Sequence, residues 1–82
     1  MTEHQLKIWP QFFADLRGGL KTWEVRKNDR DPGFAVRDTL VLCEWVPGDG
    51  YTGQSEVRRV SYVADLTSIG LIGYVGMTLE EP

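Results

Sequence analysis

Apolar residues near the start of the chain recur with period two. Leu6-Lys7-Ile8-Trp9 alternates as a half-covered strand does, and Pro10 stops it. Proline suits the first turn of a helix, where its missing N–H would have no partner, so the strand feeds directly into a helix. Phe12, Phe13 and Leu16 then make an apolar stripe about two turns long, and Gly18-Gly19 supplies a left-handed stop. From Thr22 to Lys27 the period returns to two. Trp23 and Val25 fall on one face, which reads as core, and Thr22, Glu24 and Arg26 form a polar row on the other. Residues 28–38, rich in Asn, Asp, Pro and Gly, read as loop, and Thr39 to Val46 as the most apolar strand, covered on much of both faces.

Pro47-Gly48-Asp49-Gly50 reads as a turn, with Tyr51-Thr52-Gly53 a glycine-flanked loop after it. The next strand, Ser55 to Ala64, has a fault in its alternation. Val57 shares parity with Ser61 and Val63, whereas Val60 and Tyr62 have the other, and a bulge near Arg58-Arg59 would repair it. The last strand, Tyr74 to Leu79, turns Val75, Met77 and Leu79 inward, and Glu80-Glu81-Pro82 frays. The pattern therefore predicts a mainly β (α+β) domain over residues 1–82. About five strands and one short helix after the first strand curl toward a small barrel.

Composition narrows the class. The 82 residues are 41% apolar and 26% charged, the balance of one ordinary globule. No apolar run is long enough for a membrane span, and Met1 to Lys7 lacks the basic and apolar regions of a leader, so a cytoplasmic protein is expected. The single cysteine, Cys43, lies in an apolar run and reads as a small buried hydrophobe, and Trp9, Trp23 and Trp45 at strand positions read as core. His4, the sole histidine, has no partner at ligand spacing, which gives no reason to expect a metal or cofactor, although it could serve as a base. A closed barrel leaves few edges, so a monomer or weak homodimer is the default.

Charge is unevenly spread. Residues 17–30 carry Arg17, Lys21, Arg26, Lys27 and Arg30 against Glu24 and Asp29, a net +3, while the other 68 residues sum to −6 on a chain of net −3. The one concentrated positive field thus surrounds Gly19-Leu20-Lys21-Thr22-Trp23-Glu24-Val25-Arg26, and it calls for an anionic or polar ligand.

Gly19, Lys21, Glu24 and Arg26 reproduce the Gly-x-Lys-x-x-Glu-x-Arg signature of ASCH domains in the PUA-like superfamily of small β-barrels. With His4-x-Leu6-Lys7, Pro10-x-x-Phe13, residues 26–30, Asp38-Thr39-Leu40, Leu42-x-Glu44-Trp45 and Tyr51-Thr52-Gly53, the chain resembles the DUF3850 group of short bacterial and phage proteins over residues 4–79. Two departures matter. Arg37-Asp38 stands where the pattern usually has Gly-Asp, so either the turn is reshaped or Arg37 is strained. In the related acetylcytidine amidohydrolase branch the position of Glu24 is a threonine, proposed as the nucleophile; a carboxylate there, with Thr22 two residues away, puts that mechanism in doubt.

The resemblance implies binding of RNA, a nucleotide or a modified nucleoside in a cleft walled by the helix and the second strand. Lys21, Arg26 and Arg30 would hold phosphate or carbonyl oxygens, Glu24 would accept from an amino or hydroxyl group or else orient Lys21, and Tyr51 with Thr52 would stack on and bond a base. The overall acidity argues against long non-specific duplexes. The alternatives are a ribonuclease-like or amidohydrolase-like enzyme with Lys21 and Glu24 catalytic, and an adaptor using the same patch to bind an acidic protein.

Overall fold

The computed structural model describes all of residues 1–82. Strand β1 (Glu3–Ile8) runs through Trp9 into helix α1 (Pro10–Arg17), followed by β2 (Trp23–Lys27), β3 (Thr39–Val46), β4 (Gly50–Asp65), a 3-10 turn over Thr67–Ile69, and β5 (Tyr74–Glu80). The five strands form one mixed sheet in the order β1-β3-β4-β5-β2, curled into a half-barrel. β1 runs parallel to β3 and every other pair is antiparallel. β1 and β2 are therefore the two edges.

Period-two burial explains the core. His4, Leu6 and Ile8 point inward from β1, Leu40 and Leu42 from β3, and Val75, Met77 and Leu79 from β5. Phe13 and Leu16 of α1 complete it from the helix, which lies against β3 and β4. The helix ends as its glycines dictate, with Gly19 at φ 82° and the amides of Leu20 and Lys21 both donating to the Asp15 carbonyl. Arg58, inward on β4, donates to the Leu16 carbonyl at 3.0 Å and so fastens the helix to the sheet.

That buried arginine also moves the expected bulge. Arg58 and Val60 are both inward with no break at Arg58-Arg59; the register shifts between Val60 and Tyr62, so that Val63 returns to the inner side. Tyr51, Thr52 and Gly53, expected in a loop, lie within β4 opposite the end of β3. Cys43 is half-buried and outside the core, because it occupies the outer side of β3. All three tryptophans depart from expectation: Trp9 and Trp23 are exposed and Trp45 is half-buried.

The turn before β3 takes the strained option. Arg37 has φ 77°, its amide donates to the Val60 carbonyl, and the Val60 amide donates back to the Asp38 carbonyl. The reversal puts the Asp38 carboxylate inside. There it accepts from the Thr2 amide (2.9 Å), the Ala35 amide (2.9 Å) and His4 Nε2 (2.8 Å). Burial opposes ionisation of Asp38, but the His4 hydrogen bond and the Thr2 and Ala35 amides outweigh it and hold the carboxyl below its ordinary value of 3.8.

Replacing Arg37 by glycine removes a left-handed penalty of about 1–2 kcal/mol at an entropic cost of about 0.5–1 kcal/mol, so R37G should gain about 0.5–1 kcal/mol. A urea midpoint that rises with unchanged slope is the expected result; an unchanged or lower midpoint contradicts the strain. For Asp38, a folded value below the unfolded one means that the unfolded chain binds more protons at low pH. Its contribution is complete above the unfolded value and is lost as pH falls through the folded one. The stability difference between the native chain and D38N should therefore shrink from about pH 6 to about pH 3, and a difference constant across that range contradicts the assignment.

Candidate functional site

Pairing decides which face of β2 looks inward. Glu24 stands opposite Met77 and Arg26 opposite Val75, both core residues, while Trp23 and Val25 stand opposite Thr78 and Gly76 on the outer side. The expectation that Trp23 and Val25 face the core is thus reversed. Glu24 is only 5% exposed, and the polar row is the inner one.

Glu24 survives burial because two cations hold it. Lys21 Nζ donates to Oε1, and Arg26 Nε donates to Oε2 at 2.5 Å, so the carboxylate is gripped from both sides. Lys21, held by the helix-ending turn, also donates to the Trp23 carbonyl, and its ammonium sits 4.8 Å from the Trp23 ring centroid. Arg26 reaches further. Its Nη2 donates at 2.7 Å to the Lys7 carbonyl on β1, a side-chain bridge between the two edge strands. One carboxylate and two cations leave the cluster with a formal charge of +1.

The cluster forms the floor of a cleft of about 470 Å³ in the seam between those edges. Lys7, Ile8 and Trp9 from the end of β1 and Phe12 from α1 line one side, and Lys21 with residues 23–26 line the other. Trp9, Phe12 and Trp23 are each about half exposed, at 50%, 47% and 55%, so the cleft has open aromatic walls above a charged base. Three of the six expected site residues, Lys21, Glu24 and Arg26, converge here.

The others lie elsewhere. Arg30 folds back over the Phe34 ring at 4.9 Å and its Nη1 donates to His4 Nδ1 at 3.4 Å, which leaves His4 with both nitrogens engaged. Thr52 donates to Glu44 at 2.8 Å, and Tyr51 lines a separate groove with Gln5, Cys43, Gly53, Gln54 and Ser55. Neither lines the seam cleft, and neither does Thr22. Trp9 and Phe12 are the wall residues that the sequence reading passed over. A signal for Trp23 was present: with strict alternation, an inward Glu24 forces its neighbour outward.

Residues 3–77 match the model of DUF3850, a domain of unknown function, and the chain belongs to that family. It is also similar to a protein of Escherichia phage P2 described as an uncharacterized 12.9 kDa protein in the GpA 3′ region. The two are 38% identical over 64 residues, which are 78% of this chain and 56% of the phage protein, so the match spans little more than half of that relative.

A buried ion cluster kept for stability and one kept for a ligand respond differently to replacement. Removing Glu24 alone strands two cations, and E24A should cost about 2 kcal/mol, below the ~3–5 kcal/mol of a sealed pair because the cleft admits water. Replacing all three together, K21M/E24L/R26M, should restore stability to within about 1 kcal/mol of the native chain, since apolar packing generally matches buried charge. Chemical denaturation checks both. A triple variant as unstable as E24A would mean that the cluster serves the scaffold.

Proposed function

We propose that this chain is a small RNA- or nucleotide-binding domain that takes a nucleoside, or one nucleotide of a short single strand, into the seam cleft. The observation that carries the reading is Glu24 clamped between Lys21 and Arg26 at the base of an aromatic-walled slot. Open aromatic side chains offer stacking to any base, at about 1–3 kcal/mol each by alanine substitution. The unassigned N–H groups of Lys21 and Arg26 suit carbonyl or phosphate oxygens. A cleft of about 470 Å³ lies within the ~300–1,000 Å³ usual for small-ligand sites. The acidity of the rest of the chain favours a short ligand over an extended duplex. The likeness of Gly19-x-Lys21-x-x-Glu24-x-Arg26 to the ASCH signature supports the same reading.

Binding is favoured over hydrolysis by two details. Lys21 Nζ is turned to Glu24 and the Trp23 carbonyl as a hydrogen-bond donor, the role in which it would also meet a ligand oxygen. Thr22, the nearest hydroxyl to the signature, is exposed and outside the cleft.

Titration calorimetry with the common nucleosides, their monophosphates and short single-stranded RNAs tests the proposal. At least one should bind, with W23A and K21A, each confirmed as folded by its thermal melt, weakening affinity by about tenfold or more. Salt dependence should correspond to about one or two phosphates, roughly 0.7 in log–log slope for each. No binding, or binding indifferent to both substitutions, would overturn it; conversion of the ligand in the cell would transfer the site to the hydrolase reading.

A further inference from the structure

The hydrogen-bonding pattern of the cleft base selects among rings. Lys21 Nζ and Arg26 Nε bond opposite oxygens of the same carboxylate, so the three groups lie in the order donor, acceptor, donor. Each has capacity left. Of the three ammonium hydrogens of Lys21, two are committed, to Glu24 and to the Trp23 carbonyl. Of the five guanidinium hydrogens of Arg26, two are committed, to Glu24 and to the Lys7 carbonyl. The carboxylate has about four acceptor positions and uses two.

The complement of donor–acceptor–donor is acceptor–donor–acceptor. Among the common nucleobases that sequence is the imide edge shared by uracil and its 5-methyl derivative thymine, in which two carbonyl oxygens flank a ring N–H. Cytosine sets an amino group against a cation and a ring nitrogen lone pair against the carboxylate. Adenine repeats both conflicts. Guanine matches with its carbonyl and ring N–H but turns its amino group toward the remaining cation. Glu24 is the one side chain lining the cleft that carries an acceptor oxygen, and the main-chain carbonyls of Lys7 and Trp23 are already engaged.

The geometry points to a uracil-class ring as the ligand: Lys21 and Arg26 donate to its two carbonyl oxygens, Glu24 accepts its imide hydrogen, and Trp9, Phe12 and Trp23 enclose its faces. This deepens the nucleoside-binding reading above and rests on it. Discrimination comes from repulsion as much as attraction, because the wrong ring leaves a buried charge facing a like dipole.

The test uses the unaltered chain with uridine, cytidine, adenosine, guanosine and 3-methyluridine, whose methyl group replaces the imide hydrogen without changing either carbonyl. By isothermal titration, uridine should bind at least about tenfold more tightly than cytidine or adenosine, and 3-methyluridine should lose about tenfold or more. Near-equal affinity for all five, still lowered by W23A, would overturn the uracil assignment while leaving the nucleoside site standing. Affinity for none of the nucleosides, their monophosphates or short RNAs would overturn both. A second measurement separates Glu24 from the walls: E24Q, whose folding is followed by its thermal melt, should compress the uridine preference over 3-methyluridine toward unity. An undiminished preference in folded E24Q also overturns the assignment.

Discussion

The seam of this sheet is crossed by a side chain and not by main-chain pairing. β1 and β2 are its edges, and Arg26 joins them by donating across the seam to the Lys7 carbonyl. Arg26 can do so because Glu24 holds its Nε, and Glu24 can be buried because Lys21 balances it from the other side. An unpaired carboxylate at that depth would cost several kcal/mol, so the three residues stand or fall together. The gap they span is the mouth of the seam cleft. An edge that a barrel of the same size would seal with main-chain hydrogen bonds is left here as a polar mouth.

Two other arrangements brace the surrounding fold. Helix α1 is fixed at its end by the glycine turn and by Arg58, and its Phe12, with Trp9 at the junction, lines the cleft together with residues 23–26. Away from the mouth, Asp38 ties together the first residues of β1, the loop before β3, and His4, whose other nitrogen accepts from Arg30. Arg30 therefore spends its charge on the scaffold. Its basic neighbours Lys21 and Arg26 spend theirs at the cleft, so a charge cluster that is contiguous in sequence is divided in space between two tasks.

Much of this was legible from residue order. Pro10 after an alternating strand gave the helix start, the Gly18-Gly19 pair its end, and Val75, Met77 and Leu79 the inner face of β5. The triad was legible as a cluster because alternation puts Glu24 and Arg26 on one face. Which face is inner was not, since hydrophobicity alone assigns Trp23 and Val25 to the core. The reversal arises because β2 is an edge strand over a cleft, where a paired carboxylate is tolerated inside and an aromatic ring is useful outside. The bulge was detectable as a fault in parity but misplaced, because an inward arginine reads as a break unless its partner, the Leu16 carbonyl, is known. Tyr51 and Thr52 had the right chemistry for base contact, yet pairing with the end of β3 takes them to another surface.

The role proposed for the seam is that of a pre-organised charged base under aromatic walls that receives a nucleoside. Proton–nitrogen correlation spectra recorded during titration with uridine monophosphate test this most directly, by reporting the Trp9 and Trp23 indole N–H groups and the Arg26 Nε–H alongside the backbone amides of Tyr51 and Gly53. Saturable shifts at the first three, with the Tyr51 and Gly53 amides unmoved, are the expected result. Shifts confined to the Tyr51 groove, or a spectrum unchanged throughout, would contradict it.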